Sequence, residues 1–439
     1  MSSTLETSRD NTAKKTLSTE PFWQSQFPRP ADLPLARALP ERVDVAIVGS
    51  GYTGLNAARV LAKSGASVSV IERETIGWGA SSRNGGIATP GIKRPIDAIF
   101  AKYGETKGRA FWQASLDAID LIEEIVRTER IDCDWRRDGH LYLAYKPAHF
   151  TAMQEKVAWY RDALGHEVRT IAPAELPTEI GSRVFHGGLA DDFSGSLHPA
   201  KYVYGLAKAA ARCGVGLHEG TDVHRIYRRS NAFELETSAG PLAAKEVLIA
   251  TNGYTDRLVP ALKPRVVPVG SYIIVTEPLS QELQKELIPT GRVFNDSKNF
   301  LNYFRLTPDG RMLWGGRNDL STDLDLERSA DILRAQLIHT FPQLEDVPLT
   351  HSWAGKLGIT FDLMPHIGRV DGIHYAFGYG GHGLSIATYL GTEVGKLLTG
   401  EISTSLFAEI PHPTMFFYRN EPWFLPLAAR YYRLLDWIG

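Results

Sequence analysis

Residues 43–72, VDVAIVGSGYTGLNAARVLAKSGASVSVIE, hold the reading that decides the fold. Residues 43–48 form an apolar run too short for an independent helix, with a glycine directly after it, and read as a buried parallel strand. Residues 49–54 make a turn. Beyond it Leu55, Ala58, Val60, Leu61 and Ala62 give a helix, stopped by Gly65, which suits the left-handed position past a helix end. Residues 66–71 are a second apolar strand ending at Glu72. Together these are a complete βαβ opening.

The turn itself, Gly49-Ser50-Gly51-Tyr52-Thr53-Gly54, fits G-x-G-x-x-G. Gly49 permits the tight turn, Gly51 lets a pyrophosphate approach the backbone, and Gly54 lets the helix pack closely on the strand. Phosphates would sit on the helix N-terminus beside Tyr52 and Thr53, where unpaired N–H groups and the helix dipole favour anions. Glu72 lies 18 residues past Gly54, near the roughly 20-residue distance at which an acid meets ribose hydroxyls. Its charge disfavours a 2′-phosphate, and Arg73 beside it is expected in the cofactor site. The fingerprint alone does not separate FAD from NAD.

The 439 residues suffice for two or three domain-sized cores. Hydrophobic residues make up 43% and charged residues 22%, an ordinary globular composition. With 48 Lys and Arg against 50 Asp and Glu there is no basic field for nucleic acid or anionic lipid. Two cysteines, Cys133 and Cys213, in no CxxC and no Cys/His cluster, speak against a metal site or redox dithiol. Residues 1–15 are polar, without a secretory apolar segment, and no run of about 18 apolar residues suggests a membrane span. The expectation is a cytoplasmic protein acting on a small molecule, with a mobile tail over residues 1 to about 18 and an extended Pro-rich lead-in over 28–40.

Further along, Leu116, Ile119, Ile122 and Val126 recur at helical spacing, as do Val157, Tyr160 and Leu164. Residues 271–276 and 312–315 read as strands of an antiparallel sheet, with Asp309-Gly310 as a hairpin turn.

A second glycine-rich segment, GWGASSRNGG over residues 77–86, follows the second strand. The pair VGSGYTGL and GWGASSRNGG resembles the FAD-binding start of the D-amino acid oxidase superfamily, and within it the gamma-glutamylputrescine oxidoreductase branch. Val223 after HEGTD, Ala250-Thr251-Asn252-Gly253 after residues 247–249, and GYGGHGLS over residues 378–385 fit the same branch in the same order. The likeness covers nearly the whole chain from about residue 40 and implies noncovalent FAD. Relatives that tether flavin use a cysteine where this chain has Ala354, or a histidine in the early glycine-rich segment, which has none. The resemblance also implies that backbone at Val223 holds the adenine, and that Thr251 and Gly253 belong to the cofactor site.

The residues suggest roles beside that likeness. Gly79, Ala80, Ser81 and Ser82 would bring hydroxyls and backbone to phosphate, and Arg83 with the N–H groups of Asn84, Gly85 and Gly86 would face flavin or pyrophosphate. Gly380, Gly381, His382 and Gly383 precede an apolar helix beginning with Leu384 and Ser385, whose positive end would favour a reduced, anionic flavin. His382 is a candidate base, although hydride transfer from an amine needs a neutral amine more than a strong base, and the flanking glycines equally suit a structural histidine. Tyr303, Arg305, Trp314, Arg317 and Trp353 are candidates for an aromatic pocket over the flavin or else core residues. Tyr303 and Arg305 share one strand face at i and i+2 and are the pair expected to meet substrate. Glycine-oxidase-like members carry an arginine that clamps the substrate's α-carboxylate; here its place falls on Leu357, with Lys356 or Arg305 as the cations able to replace it.

The expected fold is α/β: a Rossmann-like FAD-binding domain over 40–100, 187–253 and 353–400, and a second α+β substrate domain on an antiparallel sheet over 101–186 and 254–352. Residues 1–39 would be tail and lead-in, and 401–439 an aromatic, basic C-terminal extension that could lie on a membrane, although Pro426 and the mix of acid and base nearby favour packing on the body. The expected reaction oxidises a CH–NH bond of an amine to an imine, hydrolysed to carbonyl and amine, with electrons passed to oxygen or another acceptor. The alternatives are an NAD-dependent dehydrogenase and a flavin-bearing subunit or assembly factor without turnover.

Overall fold

The computed structural model describes residues 17–419 and 421–438; the tail expected over residues 1 to about 18 lies outside them except for Leu17 and Ser18. Those two already belong to the body: Leu17 packs on the core of the second sheet, and Ser18 pairs with backbone at Thr350 and Ser352. Apolar alternation and parallel pairing decide the first layer. Strand Arg42–Val48 lies between Val68–Ile71 and Gly240–Ile249, parallel to both, and Val68–Ile71 pairs in parallel with Gly216–His218. Ile373–Phe377 extends the sheet in parallel and His366–Val370 closes that edge antiparallel. The hairpin Val223–Arg229 and Ala232–Thr237 pairs onto Gly240–Ile249. The strands on either side of Arg42–Val48 are reached by opposite crossovers, which opens a crevice at its carboxyl end.

Helices Tyr52–Lys63, Pro199–Arg212 and Gly383–Thr399 cover one face of this sheet and share one core with it, in which Ile47, Leu55, Leu61, Val70, Leu206 and Leu390 are almost wholly buried. Gly65 lies just past the first of these helices with φ +88°, so the chain reverses there without a Cβ in the way.

Among the described residues a second eight-stranded sheet runs Leu349–Ile359, Val267–Pro278, Arg311–Gly316, Tyr303–Leu306, Val293–Asp296, His140–Leu143, Gly188–Asp191 and Arg169–Ile171. Its first four strands are mutually antiparallel, and Asp309-Gly310, with Gly310 at φ +79°, turns one of its hairpins. Its own core stacks Phe294, Phe304 and Trp314, centroids 5.1 and 4.6 Å apart. The helical patterns read at 116–126 and 157–164 fall in Ile96–Glu129 and Pro147–Leu164, the first kinked at Gly104. This sheet faces the crevice of the first, and one cavity runs between them. Helix Leu425–Ile438 packs beside it through Leu425 and Ala429, while Asp436 accepts the N–H groups of Asn299 and Phe300.

Candidate active site

The cavity begins at the turn after Arg42–Val48. Gly49 adopts φ +104°, and a Cβ on Gly54 would drive into the Gly49 carbonyl oxygen, so both glycines are required by the local geometry. Gly49 and Gly51 line the cavity with Ser50, Tyr52 and Thr53, whereas Gly54 lies behind them against the strand. Ser50 ties the site together: its N–H and hydroxyl donate to Glu72 Oε2 at 3.0 and 2.7 Å, and its oxygen accepts the N–H of Gly77 at 2.9 Å. Glu72 thereby stands fixed at the end of the second strand, its other oxygen accepting the N–H of Glu74. Arg73 lines the same end and reaches Asp256 at 3.4 Å.

The second glycine-rich segment closes over the helix N-terminus. The N–H of Tyr52 donates to Ser81 Oγ at 3.0 Å, and a Cβ on Gly51 would stand 2.9 Å from that same oxygen. The Ser81 hydroxyl hydrogen remains free to meet a phosphate there. Gly79, Ala80, Arg83, Asn84 and Gly85 also line the cavity. Ser82 does not: it is fully buried and its hydroxyl donates to the Gly77 carbonyl at 2.7 Å, so it holds the turn where a phosphate contact was expected. Gly86 likewise lies outside the cavity, packed on the Leu197 carbonyl with φ +70°. Arg83 stacks 4.5 Å over Trp78 and donates to the carbonyls of Trp78 and Ala354.

Val223 and Thr251 line the cavity near Asp222 and Asp256; Gly253 sits behind, against the backbone of Lys356 and Leu357. At the opposite end are Gly380, Gly381, His382, Gly383 and Leu384, the start of helix Gly383–Thr399. Ser385 is buried within that first turn, its hydroxyl 3.4 Å from the His382 carbonyl. Burial first, then the charges of Lys93 and Arg317, push His382 down to about 3, so it is neutral, and its Nδ1 is buried with no hydrogen-bond partner among the described residues.

Of the expected substrate pair, Tyr303 lines the cavity and its hydroxyl lies 3.2 Å from Ser271 Oγ. Burial raises its pKa, so the hydroxyl stays protonated. Arg305 is elsewhere. It is only 4% exposed, outside the cavity, donating to the carbonyls of Gly86 at 2.8 Å and Leu197 at 3.1 Å beneath its floor. Two residues along a strand is a step of about 7 Å, enough to carry the side chain past the cavity wall. Trp314 is core, and Trp353 is a buried support whose indole N–H donates to the Arg83 carbonyl. Leu357 and Lys356 line the cavity, with Lys356 6.0 Å from the Tyr254 ring. Lys93, Asn295 and Tyr254 also line it, and nothing local in the sequence marks them.

These residues fit FAD: a long cavity, a glycine turn at a helix N-terminus, a fixed carboxylate at the strand end and a second helix N-terminus at the far end. Among the described residues no helix is long and apolar enough to cross a membrane. The sequence profile described as DAO, FAD dependent oxidoreductase, matches residues 44–397. The chain is 33% identical to the "Probable oxidoreductase OrdL" of Haemophilus influenzae, over 90% of this chain and 92% of that one. It is 34% identical to the "Gamma-glutamylputrescine oxidoreductase" of Escherichia coli, over 90% and 93%. Its fold is similar to the crystal structure of glycine oxidase from Geobacillus kaustophilus, with TM-score 0.71 and 23% identity over 86% of this chain and 99% of that one. The NAD-dependent alternative falls with these matches: the chain belongs to the DAO family of FAD-dependent oxidoreductases.

Proposed function

We propose that the enzyme oxidises the CH–NH bond of an amine or amino compound whose carboxylate, if any, lies away from the reacting carbon. The observation that carries this reading is the lining of the cavity's far end. Its titratable groups are Lys93, Arg317, Tyr303, Tyr379 and His382, while among the described residues the carboxylates that line the cavity, Glu72, Glu74, Asp222 and Asp256, sit with the ribose-side segments. Without an acid beside it, and with two cations near, a bound amine is driven to its neutral form. The neutral nitrogen lone pair then assists departure of hydride from the adjacent carbon. FAD, held noncovalently between the glycine turn and residues 380–384, would supply the two-electron acceptor. Water adds to the resulting C=N carbon, and the C–N bond breaks to leave a carbonyl and a free amine. The Tyr303 hydroxyl, as a protonated donor, would orient the substrate, and neutral His382 would line the wall without acting as the base.

Leu357 supports the choice among amino compounds. An apolar side chain there cannot make the charge-assisted pair that an α-carboxylate needs. Oxygen or another acceptor would take the electrons, and the cytoplasm is the expected compartment. The test is anaerobic mixing of the yellow holoenzyme with simple amines, ω-amino compounds, glycine and D-amino acids of matched size. Faster bleaching by the amines and ω-amino compounds is expected. Faster bleaching by the α-amino acids would overturn the substrate class, and no bleaching by any of them would favour a flavin carrier without turnover.

A further inference from the structure

Arg317 follows strand Arg311–Gly316 directly and enters the cavity from the second sheet, beside the wall that carries Tyr303 and Ser271. One of its terminal nitrogens lies 3.7 Å from where a Cβ on Gly381 would stand. Lys93 enters from the chain just after the second glycine-rich segment, and its Cβ and Cγ occupy the space that a Cβ on Gly380 would need. The two cations therefore converge on one turn from two halves of the molecule.

Neither is neutralised. Among the described residues Arg317 and Lys93 have no hydrogen bond or ion pair, whereas the other arginines of the cavity, Arg73 and Arg83, are engaged by Asp256 and by backbone carbonyls. Among the described residues no carboxylate acts on any of the three groups at this end. Lys93 is pushed down to about 7 by Arg317 first and by burial second; Arg317 is lowered by burial, with only Tyr303 and Tyr432 opposing; His382 feels Lys93, Arg317 and His140. Two like charges held together out of water are destabilising until an anion joins them. The helix N-terminus at Gly383 would face the flavin, whereas Arg317 enters from the second sheet.

We infer that Arg317 and Lys93 form the site for a carboxylate carried by the substrate, displaced from the position that Leu357 leaves apolar. The inference rests on the amine reading above and narrows it: carboxylated amino compounds are preferred over plain amines. Arg317 supplies a planar fork for the carboxylate, and Lys93 a second charge that becomes fully protonated as the anion arrives.

The test titrates holoenzyme with pentanoate and with its neutral analogue pentanamide, following perturbation of the flavin absorbance bands. Pentanoate is expected to bind more tightly than pentanamide. Arg317→Leu should weaken pentanoate roughly ten- to hundredfold and leave pentanamide unchanged, with Arg317→Lys between them and Lys93→Met showing a smaller loss. If Arg317→Leu does not retain FAD, the Arg317→Lys and Lys93→Met proteins decide by the same comparison. Unchanged pentanoate affinity in the variants, or an equal loss of pentanamide, would overturn the inference. This readout needs no turnover, so an enzyme that no amine bleaches contradicts the proposed reaction and leaves the carboxylate site standing or falling on the titration.

Discussion

The two ends of the cavity carry opposite charge. At one end Glu72, Glu74, Asp222 and Asp256 gather around the carboxyl edge of the parallel sheet; at the other Lys93, Arg317 and neutral His382 gather around the turn before helix Gly383–Thr399. At the acidic end Glu72 and Glu74 come from the local βαβ opening and are joined by Asp222 and Asp256 from distant segments, and the end is braced internally, since Ser50 and the Glu74 N–H hold Glu72 in place. At the cationic end Lys93 stands more than two hundred positions from Arg317 and His382, and no anion among the described residues braces the two cations. A carboxylate already satisfied by its own protein can accept hydroxyl groups of a fixed cofactor with little reorganisation. Unsatisfied cations are instead suited to a ligand that comes and goes. The difference separates what stays from what turns over.

The strongest break in the comparison acts between the two ends. Gly54→Ala would place a methyl group against the Gly49 carbonyl oxygen and force the helix N-terminus away from the strand. The expected result is a loss of about 1–3 kcal/mol in stability and roughly a hundredfold or more in FAD affinity, read by thermal unfolding and by flavin titration of the apoprotein.

A second variant sharpens the contrast between cations in the cavity and cations under it. Arg305→Met leaves the Leu197 carbonyl without its buried side-chain donor and the Gly86 carbonyl with only the Leu197 N–H. Stability should fall by about 1–3 kcal/mol, while pentanoate affinity of the FAD-loaded protein stays unchanged. A selective loss of pentanoate binding would move Arg305 back into the substrate site.

The smallest effect concerns another buried base beneath the floor. His198 is pushed down to about 4, by burial first and by Lys201 second, from an ordinary 6.5. Between those values the unfolded chain binds more protons than the folded one, so stability rises with pH across that window and is lost as pH falls from about 6.5 toward 4. His198→Gln should flatten that slope by on the order of 1 kcal/mol, measured as denaturation midpoints at pH 7 and pH 5. An unaltered slope would show that His198 does not carry it.

Much of the acidic end was legible in the sequence because its signals are local. A strand, a glycine turn, a helix and an acid at fixed spacing need only neighbouring residues to be read, and Gly49, Gly51 and Glu72 stand where that spacing puts them. The cationic end was not. Period-two alternation placed Tyr303 and Arg305 on one strand face, but where the cavity ends along that face depends on Gly86 and Leu197, far away in the chain. Ser82 failed for a similar reason: its hydroxyl had a closer acceptor in the Gly77 carbonyl than any phosphate. Lys93 carries no motif, and its place against Gly380 exists only after two distant segments have packed. Arg317 was visible only as one of several pocket candidates, and its lack of a partner is a property of the folded chain.

If the acidic end receives the ribose of FAD, Glu72 is the residue that holds it. Glu72→Arg replaces a carboxylate fixed by Ser50 with a cation that cannot accept a hydrogen bond. The measurement is the ratio of bound flavin to protein after purification, from the visible and ultraviolet absorbance. A folded but colourless protein with little or no bound FAD is expected; full flavin occupancy in this variant would show that Glu72 does not hold the ribose.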